Sequence, residues 1–72
     1  MKLYITDEAS PRVAIADNIE EAAKLLFVNE EDTIESIIHG NDYYRVRVMQ
    51  KYGWITTEFV NEYELKNHKV YD

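Results

Sequence analysis

Hydrophobic and polar residues alternate near the start of the chain, which is the pattern of a β-strand with one buried face. Residues 2–6 (KLYIT) and 12–16 (RVAIA) both show this pattern. Their aliphatic side chains, which should share the buried face, are Leu3, Ile5, Val13 and Ile15. The polar segment between them contains Pro11 and is too short for the crossover that parallel strands require. The two strands are therefore predicted to form an antiparallel hairpin.

The centre of the chain, residues 18–40, follows a helical period and is predicted to form two short helices. Asn18 is a natural N-cap for the first helix. Glu21 lies three residues further on, where its carboxylate can accept a hydrogen bond from the backbone amide of the cap. Apolar residues recur at the spacing of a single helix face. They are Ile19, Ala22, Ala23 and Leu26.

The second predicted helix begins near Asn29 or Asp32, either of which can cap it. Glu30, Glu31 and Asp32 suit the positive end of a helix dipole. The isoleucines that should form its buried face are Ile34, Ile37 and Ile38. Gly40 follows where a left-handed helix terminus favours glycine.

Residues 43–51 form the clearest strand in the sequence, and residues 54–60 return after a turn at Tyr52 and Gly53. The side chains expected to face the core are Tyr44, Val46 and Val48. Those on the opposite face are Arg45, Arg47 and Met49.

The length of this turn decides which residues face each other across the second hairpin. A two-residue loop pairs Arg47 with Glu58, so that opposite charges meet across the ladder, and pairs Val46 with Phe59. A three-residue loop sets Val46 against Glu58, which is a less favourable pair. The two-residue register is therefore predicted. For residues 58–65 the sequence allows two structures, an extended segment or a short helix capped by Thr57.

These elements predict a single domain over residues 1–72, of the α+β class. A small, mainly antiparallel sheet of two hairpins should carry two short helices packed on one face. The expected core residues are Leu3, Ile5, Val13, Ile15, Ile19, Ala22, Ala23, Leu26, Ile34, Ile37, Ile38, Val46, Val48, Ile55 and Phe59.

Charge is concentrated on the predicted helices. Eight acids and one base between residues 17 and 42 give −7, and six acids with seven bases elsewhere give +1, for the net charge of −6. The chain has no cysteine, which excludes disulfides and thiolate metal sites and favours a cytosolic setting. No apolar run approaches the roughly 18 residues of a membrane helix. The first residues lack the pattern of a secretory signal. A cytoplasmic protein that does not contact membranes is expected.

Side chains suited to catalysis are few. Ser10 and Ser36 lack the sequence context of an activated nucleophile. His39 falls in the last turn of the second predicted helix, where the dipole favours a cation. Its spacing to Asp42 matches no metal-binding motif. We therefore expect a protein that is not an enzyme, with no catalytic residues, no metal and no cofactor.

Residues 22–38 (AAKLLFVNEEDTIESII) resemble the helix-turn-helix of excisionase and MerR-type DNA-binding proteins. The resemblance rests on residues that would pack the first helix and open the second: Ala23, Leu25, Leu26, Thr33 and Ile34. It extends over residues 19–65, with residues 43–56 in the place of the wing, and it implies DNA binding.

The sequence departs from that pattern in three ways, of which the first is a loop that is one residue too long. Phe27 stands where the motif has glycine. The implied recognition helix carries only acids, which phosphates would repel. They are Glu30, Glu31, Asp32 and Glu35. A DNA-binding role would instead need the bases of the second hairpin, which are Arg45, Arg47 and Lys51. Nucleic acid is therefore not the expected partner.

Two surfaces are candidates for a partner. The acidic surface of the two helices comprises Glu20, Glu21, Glu30, Glu31, Asp32 and Glu35. The outward face of the second hairpin comprises Tyr43, Arg45, Arg47, Met49 and Trp54, residue types that are enriched at interfaces. The same residues are equally consistent with an ordinary solvated sheet face.

The leading functional prediction is a small acidic non-catalytic protein-binding module. Acids on a rigid scaffold can imitate a phosphate backbone and occupy a basic site on a partner protein. In size and charge the chain resembles the small acidic phage proteins that inhibit host enzymes. The alternatives are an atypical winged-helix DNA-binding protein and a self-assembling structural subunit, such as a homodimer.

Overall fold

The computed structural model describes residues 1–65, which form one five-stranded sheet and one α-helix. In chain order the elements are β1 (Lys2–Thr6), β2 (Val13–Ala16), α1 (Ile19–Phe27), β3 (Thr33–His39), β4 (Tyr44–Met49) and β5 (Ile55–Glu64). The strands lie in the order β2-β1-β5-β4-β3, and every neighbouring pair is antiparallel. The predicted α+β class and antiparallel sheet are confirmed, and both hairpins are present. Within the described residues, only the first of the two predicted helices forms.

The N-terminal hairpin forms as predicted, but its other face is buried. Tyr4, Ala14 and Ala16 lie in the core against α1, whereas Val13 is 56% exposed. Tyr4 lies directly opposite Ala14, so one large ring and the small alanines together fill the space under the helix. The predicted shared core face of Leu3, Ile5, Val13 and Ile15 is therefore wrong, although Leu3 is buried.

Helix α1 forms where the sequence predicts it. The Asn18 side chain accepts a hydrogen bond from the backbone N–H of Glu21 at 2.9 Å, which caps the first turn. The helix ends where the Val28 N–H donates to the Lys24 carbonyl at 3.2 Å. The four stripe residues face the sheet, with the alanines fully buried: Ile19, Ala22, Ala23 and Leu26.

Residues 33–39 form strand β3, so the second predicted helix is wrong. The pairing with β4 shifts by one residue between Ile34 and Ser36, which is a β-bulge at Glu35. The bulge puts Ile34 opposite Val48 and Ile37 opposite Val46, so both isoleucines face α1. A spacing of three residues, which imitates a helical stripe, thus comes from a strand with one extra residue. The β-branched residues of this segment favour a strand.

Strands β4 and β5 pair one residue away from the predicted register. Val46 lies opposite Glu58, and Tyr44 lies opposite Val60. The Gly53 N–H donates to the Gln50 carbonyl at 2.8 Å, and Gly53 has a φ of 88°. This is a three-residue loop with glycine in the left-handed position, which is a common hairpin connection.

A shift of one residue turns every side chain of a strand to the other face. Val60 is therefore fully buried, whereas Ile55 and Phe59 face away from the helix and are exposed. Strand β5 continues to Glu64, so the alternative of a helix beginning at Thr57 is also wrong.

The hydrophobic core lies between α1 and the sheet face that the helix covers. Its buried members are Tyr4, Ala14, Ala16, Ala22, Ala23, Val46, Val48 and Val60. The half-buried side chains that pack around them include Ile19, Leu26, Ile34 and Ile37, all expected in the core. Four others expected there are exposed: Val13, Ile38, Ile55 and Phe59. A single helix of nine residues covers one face of the sheet.

Candidate functional site

We call the side of the sheet that faces away from α1 the open face. At the β1–β2 corner it carries the pair Leu3 and Ile15 and the pair Ile5 and Val13. Across β3, β4 and β5 it carries a larger group of exposed side chains, which we call the hairpin patch. Its members are Ile38, Tyr43, Arg45, Arg47, Met49, Ile55 and Phe59.

The hairpin patch is built from rows of side chains that neighbour one another across the strands. Ile38, Arg45 and Phe59 form one row, and Met49 and Ile55 lie in another. The five large apolar members are each between 38% and 46% exposed. Large apolar side chains thus surround two arginines on a surface with no second layer over it among residues 1–65.

The two arginines of the patch differ in their partners. The Arg47 Nε lies 3.1 Å from a carboxylate oxygen of Glu35, which stands at the β3 bulge. Arg45 has no carboxylate within 4.0 Å among the described residues. Its guanidinium therefore relies on solvent, while Ile38 and Phe59 flank it on the neighbouring strands.

Gly40 and Tyr43 close one end of the patch. The Gly40 N–H donates to the Tyr43 carbonyl at 2.7 Å. A Cβ atom at Gly40 would lie 2.7 Å from the Tyr43 ring, and that ring meets Phe59 edge-on with 5.5 Å between centroids. The predicted left-handed helix terminus at Gly40 is wrong, because the element that ends just before Gly40 is strand β3 and the φ of Gly40 is not positive. Here glycine lets an aromatic ring pack on the backbone.

The acidic residues expected on one helical surface lie in separate places. Glu20 and Glu21 are exposed on α1, and Glu30 and Glu31 are exposed in the turn that follows. Glu35 lies on β3, paired with an arginine of the patch. The expectation that two helices present these acids is therefore wrong. A contact between the acids and a partner stays a prediction.

Asp32, the sixth member of that set, acts within the fold. Its carboxylate accepts hydrogen bonds from the backbone N–H groups of Asn29 at 3.2 Å and Lys51 at 3.1 Å. It thereby ties the α1–β3 connection to the β4–β5 turn. The two segments line an open cleft of about 380 Å³, whose walls include Glu30 and Tyr52.

Four of the five residues predicted on the outward hairpin face belong to the hairpin patch. The fifth, Trp54, is 72% exposed at the end of the hairpin, next to the turn that carries Tyr52. The other three apolar members, Ile38, Ile55 and Phe59, were predicted to lie in the core. The residue that indicates the observed register in the sequence is Gly53, because a glycine at the third loop position is typical of the three-residue connection.

A polar cluster occupies the helix side of the sheet near β1. The Tyr4 hydroxyl donates to a carboxylate oxygen of Glu62 at 2.9 Å, and the Lys2 ammonium lies 3.4 Å from the same oxygen. His39 stacks on Tyr44 with 4.4 Å between ring centroids.

The phenols of this cluster are hydrogen-bond donors. Burial, reinforced by the hydrogen bond to Glu62, raises the pKa of Tyr4 well above its usual value. Burial and the same carboxylate raise the pKa of Tyr44. Both phenols therefore stay protonated at neutral pH, and the hydrogen bond from Tyr4 to Glu62 joins β1 to β5.

Residues 1–65 contain neither a cluster of metal ligands nor a helix that could span a membrane. No three or more His, Asp or Glu side chains there are close enough to hold a metal ion. None of their helices is long and apolar enough to span a membrane. Comparison with protein-family models, curated proteins and solved structures finds no match to this chain. What the protein does must therefore be inferred from its own side chains.

Proposed function

We propose that this protein is a non-catalytic protein-binding module and that the hairpin patch is its contact surface. The observation that carries the proposal is the group of five large apolar side chains in the hairpin patch, which are each between 38% and 46% exposed and have no second layer over them among residues 1–65. A sheet that is apolar on both faces normally packs against another layer on each.

The size of the patch supports this function. Its five apolar side chains are about two-fifths exposed, which leaves on the order of 400 Å² of apolar surface in water. The largest apolar patch of a typical monomer is about 300–600 Å² and is often functional. The patch therefore lies in the range expected for a binding site, although it would form only the centre of a standard interface.

The residue types also support a protein partner. Tyr, Phe, Met and Arg are enriched at the centres of protein interfaces, where they supply large contact areas and directional hydrogen bonds. In the patch the Phe, Met and Arg residues are held on β-strands and Tyr43 directly precedes β4, so little conformational entropy would be lost on binding. Tyr43 and Phe59 already fix each other through their edge-on contact.

The acidic surface remains a second candidate for a contact. Glu20, Glu21, Glu30 and Glu31 are exposed and free to face a basic partner. Binding through them should weaken steeply with salt, because exposed charges are screened within about 8 Å at physiological ionic strength. DNA binding is less favoured, because the implied recognition helix is strand β3.

The test compares capture by the wild-type protein with capture by two variants. Phe59→Asp places a charge in the patch, and Leu25→Asp places one on the outer side of α1, where Leu25 is 69% exposed. Each tagged protein is used to capture binding proteins from a lysate of its source cell. The captured protein is then purified, and its affinity for each version is measured by calorimetry.

We expect a purified partner to bind the wild type and Leu25→Asp with similar affinity, and Phe59→Asp at least tenfold more weakly. Circular dichroism spectra establish that all three proteins are folded. A partner that binds Phe59→Asp normally and is lost from Leu25→Asp would overturn the assignment of the patch. A further variant, Glu31→Lys, tests the acidic surface: loss of binding by this variant, with Phe59→Asp unaffected, would assign the function to the acidic surface.

A further inference from the structure

The charges of the hairpin patch limit what can cover it. Arg45 has no carboxylate partner among the described residues, and Glu35, the acid beside the patch, is already paired with Arg47. Covering Arg45 without an acid would bury an unpaired guanidinium, which is strongly unfavourable. The partner must therefore bring a carboxylate to Arg45.

A second copy of the chain does not meet this requirement well. A twofold axis through the patch would place the same surface on both sides of the interface. Two copies of Arg45 near that axis would then approach each other, and Glu35, the acid beside the patch in each copy, already pairs with Arg47. The charge pattern thus favours a different molecule, although the chain as a whole is acidic.

The dimensions of the patch favour a helix. The patch spans β3, β4 and β5, whose spacing of about 4.8 Å makes it roughly 10 Å wide, the width of one α-helix. From Tyr43 to Met49 the strand covers about 20 Å at roughly 3.3 Å per residue. A helix of that length contains about 13 residues.

We infer that the hairpin patch binds an acidic amphipathic helix of about 13 residues, whose apolar stripe lies on Ile38, Phe59, Met49 and Ile55 and whose carboxylate pairs with Arg45. This inference rests on the function proposed above and specifies its partner. The bound helix would form a third layer, on the opposite side of the sheet from α1.

The experiment selects peptides rather than assuming a sequence. A phage-displayed library of random 16-residue peptides is selected on the immobilised full-length protein, after depletion on the Phe59→Asp variant. The enriched sequences are synthesised, and their affinities are measured by fluorescence anisotropy. Their helicity in the complex is followed by circular dichroism.

We expect the enriched peptides to carry apolar residues at helical spacing, together with Asp or Glu, and to gain helicity on binding. Arg45→Glu should weaken them at least tenfold. Changing the acid of the peptide to Lys should restore much of the affinity for Arg45→Glu. The matched control, Lys24→Glu, changes an exposed base on α1 by the same two charges and should alter the affinity less than twofold.

Other outcomes would overturn the inference. Enriched peptides without acids, peptides that bind as extended strands, or an affinity unchanged by Arg45→Glu would each do so. A wild-type protein that sediments as a dimer, and as a monomer after Phe59→Asp, would identify a second copy as the occupant. If a purified cellular partner still requires Phe59, the proposed function stands while the helical partner is rejected. If that partner binds Phe59→Asp as tightly as the wild type, both the proposed function and the helical partner are rejected.

Discussion

Two adjacent substitutions on β5 test the register on which the hairpin patch depends. Val60 is fully buried, whereas Phe59 is 39% exposed on the open face. Val60→Thr keeps the shape of the side chain and places a hydroxyl in the apolar core. Phe59→Tyr adds a hydroxyl to a ring that is accessible to water. Each change preserves a residue type that favours strands, so backbone preference contributes little.

The expected difference follows from burial. A hydroxyl buried without a partner costs about 1–3 kcal/mol in proteins, so Val60→Thr should lower the free energy of unfolding by about 2 kcal/mol. For a domain of this size, that loss corresponds to a fall in melting temperature of roughly 8–16 °C. Phe59→Tyr should change the free energy by less than about 0.5 kcal/mol, as is usual at exposed sites.

Urea and thermal unfolding followed by circular dichroism measure both effects. The urea m-value should remain that of the wild type, which would place the loss in the folded state. The two-residue register predicts that Phe59→Tyr is the destabilising substitution, because that register buries Phe59 and exposes Val60. A strongly destabilised Phe59→Tyr beside a neutral Val60→Thr would therefore refute the observed register and remove Phe59 from the patch.

Three further substitutions test local contacts. Gly40→Ala should push the Tyr43 ring aside at a cost of about 1 kcal/mol, seen as loss of the nuclear Overhauser contact between this ring and Phe59. Asp32→Ala should cost about 1–2 kcal/mol and speed amide exchange in the β4–β5 turn, since two backbone N–H groups lose their acceptor. The hydrogen bond from Arg12 holds the pKa of Glu8 below 4.5. The stabilisation from this hydrogen bond is therefore present above pH 4.5 and is lost as the pH falls through the lowered pKa. Carbon-13 titration of Glu8 should show this lowered pKa and its return towards 4.5 in Arg12→Ala.

Local signals in the sequence predict much of the fold. Asn18 and Glu21 mark the start of α1 because cap geometry depends on residues three apart. Strict alternation identifies β4, and Pro11 lies between β1 and β2 as expected of a turn segment. Four residues of the hairpin patch follow from the same alternation, since they face away from the side of Val46 and Val48.

The failures arise where burial depends on distant residues. Tyr4 is in the core because small alanines of β2 and α1 leave room for its ring, which no pattern within β1 reveals. Ile34 and Ile37 share a face because of a bulge at Glu35, and a spacing of three reads equally well as a helix. The capping residues and the placement of acids supported that interpretation, but pairing with β4 decided the outcome.

The register of β5 connects the fold to the proposed function. Hydrophobicity alone favours the two-residue loop, which would hide Ile55 and Phe59 under α1. The observed three-residue loop instead turns Thr56 and Glu58 towards the helix and leaves both large apolar side chains on the open face. Gly53 in the turn and Val60 in the core stabilise this arrangement.

Sequence-based expectations tend to fail at sites shaped by function, because such sites give up burial for recognition. Under the function proposed above, Ile55 and Phe59 are examples, since the other register would bury them. The bulge acts at the same place, because it turns Ile38 outward beside Arg45 while keeping Ser36 out of the core. Two independent features of the backbone, the bulge and the three-residue loop, thus bring apolar residues together around Arg45, which has no carboxylate partner among residues 1–65. This convergence supports the proposal that the hairpin patch is a contact surface.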